Sequence, residues 1–350
     1  MGKKKTILVT GGCGFIGTNL IRKLLNDKNN YIVNIDKITY ASNQQGLKDI
    51  DTSNYILKKI DIANNRAIRR LILTTKPDYI FHLAAETHVD RSIDTPNVFI
   101  SSNVLGTYNL LTSSYEYWEK LSKNKKNNFR FIHISTDEVY GSLKDKDPKF
   151  KELNRYKPNS PYSASKASAD HLVRAWHMTY GLPTIITNTC NNYGPFQFPE
   201  KLIPLVINKC LNNKDIPVYG NGKQIRDWIY VDDHISALLT VLKKGKVGDQ
   251  YNIGSNCELK NINVVKDICK IMDSILPKKK KYSNLIKSVQ DRPGHDFRYA
   301  INNNKIRSLG WKPKFNWVDG LKQTVTWYLD NRNEILIKSN SYSGERLGKL

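Results

Sequence analysis

Seven residues, Gly11-Gly12-Cys13-Gly14-Phe15-Ile16-Gly17, constrain this chain more than any others. They follow the apolar run Ile7-Leu8-Val9-Thr10 and lead into Phe15, Ile16, Leu20, Leu24 and Leu25 at helical spacing, which predicts a tight turn from strand to helix. In that context Gly12, Gly14 and Gly17 satisfy a dinucleotide-binding spacing. Glycines there let the backbone approach a pyrophosphate, whose charge is met by free N–H groups and the positive end of the helix dipole. Asp36 ends the next strand-like run, over 31–36, where a carboxylate accepts hydrogen bonds from ribose hydroxyls about 20 residues beyond the glycines. A carboxylate also repels a 2′-phosphate, so NAD is expected over NADP, a preference that Lys37 weakens slightly. Asp61-Ile62, after the strand-like run 55–60, fits either the adenine amino group or the N-cap of a helix.

Further strand-like runs at 79–85 and 131–135 alternate with helical patterns at 64–75, 97–120 and 163–180. Strands joined through helices imply a parallel sheet covered on both faces, an α/β fold of the Rossmann-type doubly wound kind. The second half is punctuated by Pro195, Pro199, Pro204 and Pro217 and by the turn Gly220-Asn221-Gly222, which predicts a smaller, loop-rich lobe. A strand and helix over 229–242 are expected to return to the main sheet. The expected organisation is a dinucleotide-binding domain over 1–190 with 229–250 rejoining it, a substrate lobe over 191–335, and a polar tail over 336–350 that is expected to be disordered.

Tyr162 and Lys166 stand four apart at the start of a predicted helix, one turn from each other on one face. A nearby ammonium favours phenolate over phenol, so such a tyrosine can take a proton from a hydroxyl as hydride leaves the same carbon. The pairing is common by chance in helices. Its weight comes from the strand end Ser135-Thr136-Asp137-Glu138, because ligands of doubly wound folds sit outside the carboxyl ends of the strands. Two adjacent carboxyls there otherwise read as helix-capping acids of a polar turn.

Composition excludes several other classes. The 350 residues hold 39% hydrophobic and 25% charged residues, which is globular. No stretch is apolar enough to span a bilayer, and Met1-Gly2-Lys3-Lys4-Lys5 runs into a strand without a signal-peptide core, so a cytoplasmic protein without a membrane partner is expected. Five scattered cysteines and seven histidines show no metal-type spacing; reduced thiols and no metal are expected. The net charge of +23 attracts polyanions, yet its densest runs, at 123–126 and 278–281, lack the interleaved aromatics of a stacking groove. A solvated surface without a nucleic-acid partner is the reading.

The motifs together resemble an extended short-chain dehydrogenase/reductase, specifically the dTDP-glucose 4,6-dehydratase family. The likeness is carried by Thr10 to Gly17, His82-Leu-Ala-Ala-Glu-Thr-His-Val-Asp-Arg-Ser92, Ser135-Thr-Asp-Glu-Val-Tyr-Gly141, Pro161-Tyr-Ser-Ala-Ser-Lys166, Asn191-Asn-Tyr-Gly-Pro195, Phe198-Pro-Glu-Lys-Leu-Ile-Pro204, Arg226-Asp-Trp228 and Asp291-Arg-Pro-Gly-His-Asp296. The resemblance implies catalytic roles for Tyr162 as base at the sugar C4 hydroxyl, Lys166 and Thr136 as its helpers, Asp137 as acid at C6 and Glu138 as base at C5. It implies NAD contacts from Gly11, Gly12, Gly14, Phe15, Ile16, Gly17, Asp36, Lys37, Asp61, Ile62, Leu83, Ala84, Ala85, Ser102, Tyr162, Lys166 and Asn192. For the nucleotide sugar it implies Thr87, Thr136, Asn191, Lys201, Leu202, Pro217, Tyr219, Arg226, Asn261, Arg292, His295 and Tyr299, and it implies a homodimer formed through the helices near 97–120 and 163–180.

Departures leave the base of the substrate open between thymine and uracil: Thr87 replaces a Ser common in the dTDP-sugar enzymes, and Pro195-Phe196-Gln197-Phe198 is as similar to plant-type UDP-glucose dehydratases. Phe297 stands where the family often has Arg. A nucleotide-sugar 4-epimerase shares the glycine turn and the Tyr and Lys pair but needs no acid and base for elimination, so Asp137-Glu138 is the discriminating feature. A non-catalytic NAD- or nucleic-acid-binding protein leaves all four of these side chains unexplained.

Overall fold

The computed structural model describes residues 4–332; the tail expected to be disordered lies outside the described residues. Twelve strands run in chain order: β1 Lys5–Thr10, β2 Asn30–Asp36, β3 Tyr55–Lys59, β4 Tyr79–His82, β5 Arg130–Thr136, β6 Thr184–Thr189, β7 Asn191–Tyr193, β8 Ile216–Tyr219, β9 Ile225–Tyr230, β10 Gln250–Ile253, β11 Glu258–Lys260 and β12 Ile286–Val289. The longer helices are α1 Phe15–Leu25, α2 Asn65–Thr75, α3 Gly106–Glu119, α4 Pro161–Tyr180, α5 Leu202–Leu211, α6 Val231–Lys244, α7 Asn261–Ile275 and α8 Trp317–Asp330.

Seven strands form one parallel sheet in the order β10-β6-β5-β4-β1-β2-β3. Its strands are apolar on both sides because helices cover both faces. Ile7, Val9, Ile32, Phe81 and Ile132 pack into the core on one face, and Leu8, Val33, Ile80 and Phe131 into the core on the other. The strand order reverses between β1 and β4, and there the chain opens a crevice beyond the carboxyl ends, the usual ligand position in such sheets. A third core, including Ile203, Trp228, Val264 and Val325, belongs to the second half of the chain, with β11-β9-β7 and β12-β8 as its small sheets.

Three sequence expectations need correction, and one strand has no counterpart among them. The strand over 79–85 stops at His82: the Leu83 N–H makes the last rung to β1 at the Thr10 carbonyl, and the Ala84 N–H turns to the Thr10 hydroxyl, bringing this segment to the crevice. The helix near 97–120 opens at Pro96 and passes through a π-helical turn, Ile100–Leu105, before α3. Strand β6 has six consecutive buried residues, a run without alternation to mark it. Finally, the strand around 229 does not rejoin the main sheet. β9 pairs with β7 and β11, and it is β10, after α6, that lies parallel beside β6. A parallel neighbour needs a crossover first, and α6 supplies it. β9 instead straddles two cores: Ile229 packs under the main sheet while Trp228 and Tyr230 pack in the other lobe.

Candidate active site

The turn after β1 forms the wall of the crevice because Gly11 and Gly14 present no side chain to it. Gly11 adopts φ +70°, and a Cβ there would lie 2.7 Å from the Ala84 Cα; one on Gly17 would lie 2.3 Å from the Gly11 carbonyl oxygen. Gly14 caps α1 without a side chain, which leaves the helix end open to an anion. Asp36 is fixed in the next turn: Oδ2 accepts from the Cys13 N–H at 3.0 Å, and Oδ1 from the Ile38 N–H at 2.8 Å and the Ser42 hydroxyl at 3.1 Å. Ile38 has φ 59°, a strained conformation for a β-branched residue, so the carboxylate holds a turn that would otherwise relax. Lys37 is paired with Glu86 across the crevice at 2.7 Å.

One continuous cleft is lined by Gly11, Gly14, Phe15, Ile16, Gly17, Asp36, Lys37, Ile62, Leu83, Ala84, Ala85, Ser102 and Asn192, all expected at the dinucleotide, and by Thr136, Asp137, Glu138, Tyr162 and Lys166. Ser102 reaches it from the π-helical turn. Gly12 lies behind the wall, where a Cβ would strike the Asn34 side chain. Asp61 is exposed and off the wall; it accepts from the Ala63 N–H, and the N-cap of α2 is Asn64. The alternative reading of Asp61 as a helix cap misses by three residues, and the expected contact with the dinucleotide is not on the cleft wall.

The reacting groups come from β5 and α4. Thr136 ends β5 and caps the short turn Asp137–Tyr140, accepting from the Glu138 N–H at 3.3 Å. Ser160 and Ser163 form a capping box that starts α4 just ahead of Tyr162. Tyr162 and Lys166 are buried, and the Lys166 ammonium donates to the Ile134 carbonyl at 2.8 Å. Burial pushes the Tyr162 phenol up from its ordinary value, with the charge of Glu138 adding and the Thr136 hydroxyl opposing. Burial takes Lys166 down to about 8, against the pull of Asp170. In the protein alone the phenol is thus raised rather than lowered. Ionising it requires more positive charge in the cleft than the lysine provides.

The two carboxyls differ in the way acid and base must. Asp137 is 2% exposed, its Oδ2 has no hydrogen-bond partner among the described residues, and burial followed by the charges of Glu138 and Asp227 raises it well above the carboxylate range. Glu138 is also raised by burial, but Arg292, Arg226 and Lys201 all oppose the shift. The setting favours the acid form of Asp137 more strongly than that of Glu138, whose raised value three cationic side chains oppose.

The expected substrate residues separate into two groups. Thr87, Asn191 and Lys201 line the same cleft, with the Lys201 ammonium donating to the Thr87 carbonyl at 3.0 Å. Leu202 begins α5, Pro217 lies in β8 and Asn261 begins α7 with a buried Oδ1 lacking a partner. Tyr219 and Arg292 share Asp90, at 2.8 and 2.9 Å on its two oxygens. His295 pairs with Asp291 at 2.6 Å and meets the Tyr219 ring edge-on. The Arg226 guanidinium lies 4.2 Å from the centre of the Tyr299 ring. These residues are off the wall beside Tyr162, but the charges of Arg226 and Arg292 reach Glu138.

Sequence reading missed Tyr40, Glu86, Asp90, Cys190 and Glu200. Tyr40, Glu86, Cys190 and Glu200 line the cleft, and the Arg91 guanidinium lies 4.1 Å from the Tyr40 ring centre and 3.5 Å from Glu200. Glu86, Asp90 and Glu200 fell inside recognised motifs, but only long-range pairing reveals their partners. Among the described residues no His, Cys, Asp and Glu cluster could hold a metal ion, and no helix is long and apolar enough to cross a membrane.

The model of the GDP-mannose 4,6 dehydratase family matches residues 8–324. The dTDP-glucose 4,6-dehydratase 1 of Escherichia coli K12 is 53% identical over 96% of this chain and 96% of its own. A crystal structure of the Bacillus anthracis dTDP-glucose 4,6-dehydratase in complex with NAD superposes with TM-score 0.84 at 41% identity, covering 95% of this chain and 99% of that one. The Streptomyces venezuelae dTDP-glucose 4,6-dehydratase, also with NAD bound, gives TM-score 0.86 at 38% identity with the same coverage. A protonated and a charge-supported carboxyl beside a buried tyrosine, carried on a sheet and a sequence shared this completely, leave one family: the chain belongs to the GDP-mannose 4,6 dehydratase family and, within it, to the dTDP-glucose 4,6-dehydratases.

Proposed function

We propose that the protein removes water across C5 and C6 of dTDP-glucose to give the 4-keto-6-deoxy nucleotide sugar. The observation that carries this reading is the opposed setting of Asp137 and Glu138 next to Tyr162. The side-chain-free wall at Gly11, Gly14 and Gly17 and the fixed Asp36 carboxylate fit NAD. When bound, NAD supplies a positive ring that accepts hydride from C4 and gives it back at C6, so no net oxidation occurs. Tyr162 takes the C4 hydroxyl proton, with the Thr136 hydroxyl bonded to the same oxygen. The resulting ketone acidifies C5, Glu138 removes that proton, and Asp137 gives its own proton to the departing C6 hydroxyl; as hydride reaches C6 a proton returns to C5, and Glu138, which took it, gives it back. Lys166 keeps positive charge next to the tyrosine throughout.

The names of the relatives favour thymine over uracil. The bases differ by one methyl, worth about 1–3 kcal/mol in an apolar pocket. Incubation with dTDP-glucose and UDP-glucose separately, without added NAD and with mass analysis, tests the reading. Loss of water is expected with both, faster with dTDP-glucose by roughly 10–200-fold. Preference for UDP-glucose would reassign the base; conversion without mass loss would make the protein an epimerase.

The assembly proposed is a homodimer. Val98, Ile100, Leu105 and Tyr108 on the helical run 96–119, with Met178 and Tyr180 on α4, are exposed apolar side chains on the two helices the family resemblance points to. Light scattering at micromolar concentration should give twice the chain mass, and a monomeric mass removes the claim. The five free cysteines suit a reducing, cytoplasmic setting.

A further inference from the structure

Asp170 lies one helical turn beyond Lys166 on α4, 2% exposed, and no step above uses it. Its carboxylate is the centre of a buried polar web drawn from four segments. Oδ1 meets the His133 Nε2 at 3.1 Å, and Oδ2 accepts from the Ser135 hydroxyl at 2.9 Å, the Tyr156 hydroxyl at 2.8 Å and the Asn188 amide at 3.1 Å. Asn188 also donates to the Thr136 carbonyl at 3.1 Å, so the web reaches the residue that ends β5. From the other side the Lys166 ammonium holds the carbonyl of Ile134, the residue between His133 and Ser135. A carboxylate with this many donors stays ionised in the interior. Burial pushes Asp170 up, but His133, Lys166 and Ser135 bring it below the carboxylate range.

Such a charge is costly to bury without a purpose beyond packing, since an apolar or amide side chain of the same size fills the space more cheaply. The full charge whose field reaches it is that of Lys166, one helical turn back on α4 and bonded to the Ile134 carbonyl rather than to the carboxylate itself. The other groups facing the lysine carry none near neutral pH. His133 of β5 is held down at about 4 and His82 of β4 well below its ordinary value, both by burial first. Tyr156, in the loop before α4, and Tyr162 are both pushed up and remain phenols. Burial alone drives the lysine towards the neutral amine, and Asp170 is the group that opposes it.

We propose that Asp170 is a positioning residue for the C4 oxidation: fixed by four donors, it supplies the negative charge that keeps Lys166 an ammonium beside Tyr162 and anchors the strand end bearing Thr136. The inference rests on the dehydratase reading, through the role given there to Lys166. It adds a charge relay of position, with no proton passing through Asp170.

The test is the pH profile of NADH absorbance formed in a single turnover with dTDP-glucose, on protein carrying its own NAD. In the wild type the rate should fall at alkaline pH as Lys166 loses its proton near pH 8. Asp170→Asn keeps the shape and removes the charge, so that limb should move down by about one pH unit, the usual size for loss of an opposite charge. At pH 8 the rate should then be roughly fivefold lower, with a smaller deficit at pH 6.5. Asp170→Glu should return the limb to the wild-type position even where the plateau stays low. A purely structural role lowers the whole profile without moving the limb, and that result, or an unchanged profile, overturns the proposal. Should Asp170→Asn fail to fold, Tyr156→Phe replaces it. Without one donor the carboxylate's charge is less shared, Lys166 is held more firmly and the limb moves up, opposite in sign; an unmoved limb again overturns the idea. Wild-type protein that forms no NADH with dTDP-glucose would instead refute the dehydratase reading, which keeps the two failures apart.

Discussion

The cleft has two halves built on opposite principles. The dinucleotide half is centred on residues close together in sequence, and its contacts are mostly absences: Gly11, Gly14 and Gly17 leave backbone bare, and Asp36 is locked by the Ile38 N–H and Ser42 hydroxyl of its own turn and by the Cys13 N–H of the glycine turn. The sugar-nucleotide half is gathered from distant segments, Asp90 with Tyr219 and Arg292, Lys201 with Thr87, and is held by long-range hydrogen bonds and an ion pair rather than by a turn. One half is fixed by local backbone geometry, the other by long-range side-chain pairing. A substitution should therefore damage them in different ways, through fit in the first and through charge balance in the second.

Tyr162 and Glu138 sit at the seam, and their substitution should have the largest effects. Tyr162→Phe removes the group that takes the C4 proton, so no NADH absorbance should appear on mixing with substrate. Glu138→Gln keeps the shape but cannot take the C5 proton. It should oxidise C4, accumulate bound NADH, and lose water at a rate lower by roughly 10²–10⁴. Exchange of the C5 proton in deuterated water separates the two stalls. If Glu138→Gln exchanges that proton as fast as the wild type, the base is elsewhere and the seam has been drawn in the wrong place.

Next in size is Gly17→Ala, which tests the fit of the first half alone. The added methyl would stand 2.3 Å from the Gly11 carbonyl oxygen and 2.6 Å from the Gly12 Cα, backbone atoms that cannot swing away. The turn must open, at a cost of about 1–3 kcal/mol for an overpacked site. Purified protein should carry well under the wild-type share of NAD, measured by absorbance after release, and the thermal midpoint should fall. Full NAD content in this variant would mean that the glycine wall is not what fits the cofactor.

The same contrast explains what could be read from the sequence. Rossmann architecture and the glycine turn were legible because a local spacing is enough: β1, the turn and α1 are consecutive, and Asp36 follows one strand later. Tyr162 and Lys166 were legible through helical spacing. The expectation that the lysine lowers the tyrosine was not met in the protein alone, because burial dominates and the ammonium is bonded to the Ile134 carbonyl, neither of which a spacing conveys. β6 was invisible, since a strand buried on both faces carries no alternation. The return to the main sheet was placed on Ile229 because β9 is as apolar as a central strand, and it is so because it packs between two cores. Tyr40 has no local signal, and the motifs that contain Asp90 and Glu200 say nothing of their roles; each acts through a residue more than 100 positions away in the chain, as with Tyr40 and Glu200 or Asp90 and Arg292.

Asp90→Asn is the smallest of the expected effects and the most specific to the second half. The residue is 2% exposed, and its two oxygens divide between the Tyr219 hydroxyl and the Arg292 guanidinium. An amide of the same shape can still accept one bond, but it withdraws the charge that offsets Arg292, whose side chain is 16% exposed and whose field also supports Glu138 as the base. Freed of Asp90, the guanidinium has no fixed direction and is less well placed to meet an anionic substrate. The expected outcome is a KM for dTDP-glucose raised roughly tenfold, which corresponds to about 1.4 kcal/mol. Because none of the groups that hold Asp36 or the glycine turn is touched, NAD content should equal that of the wild type. Removing the carboxylate leaves more net positive charge near Glu138, so the base should ionise as readily as before and kcat should change by less than the KM. Titration of NAD content beside steady-state kinetics decides the matter. A loss of NAD in Asp90→Asn would show that the two halves are coupled through the segment from Glu86 to Asp90, and the division between local fit and long-range pairing would fail at that point.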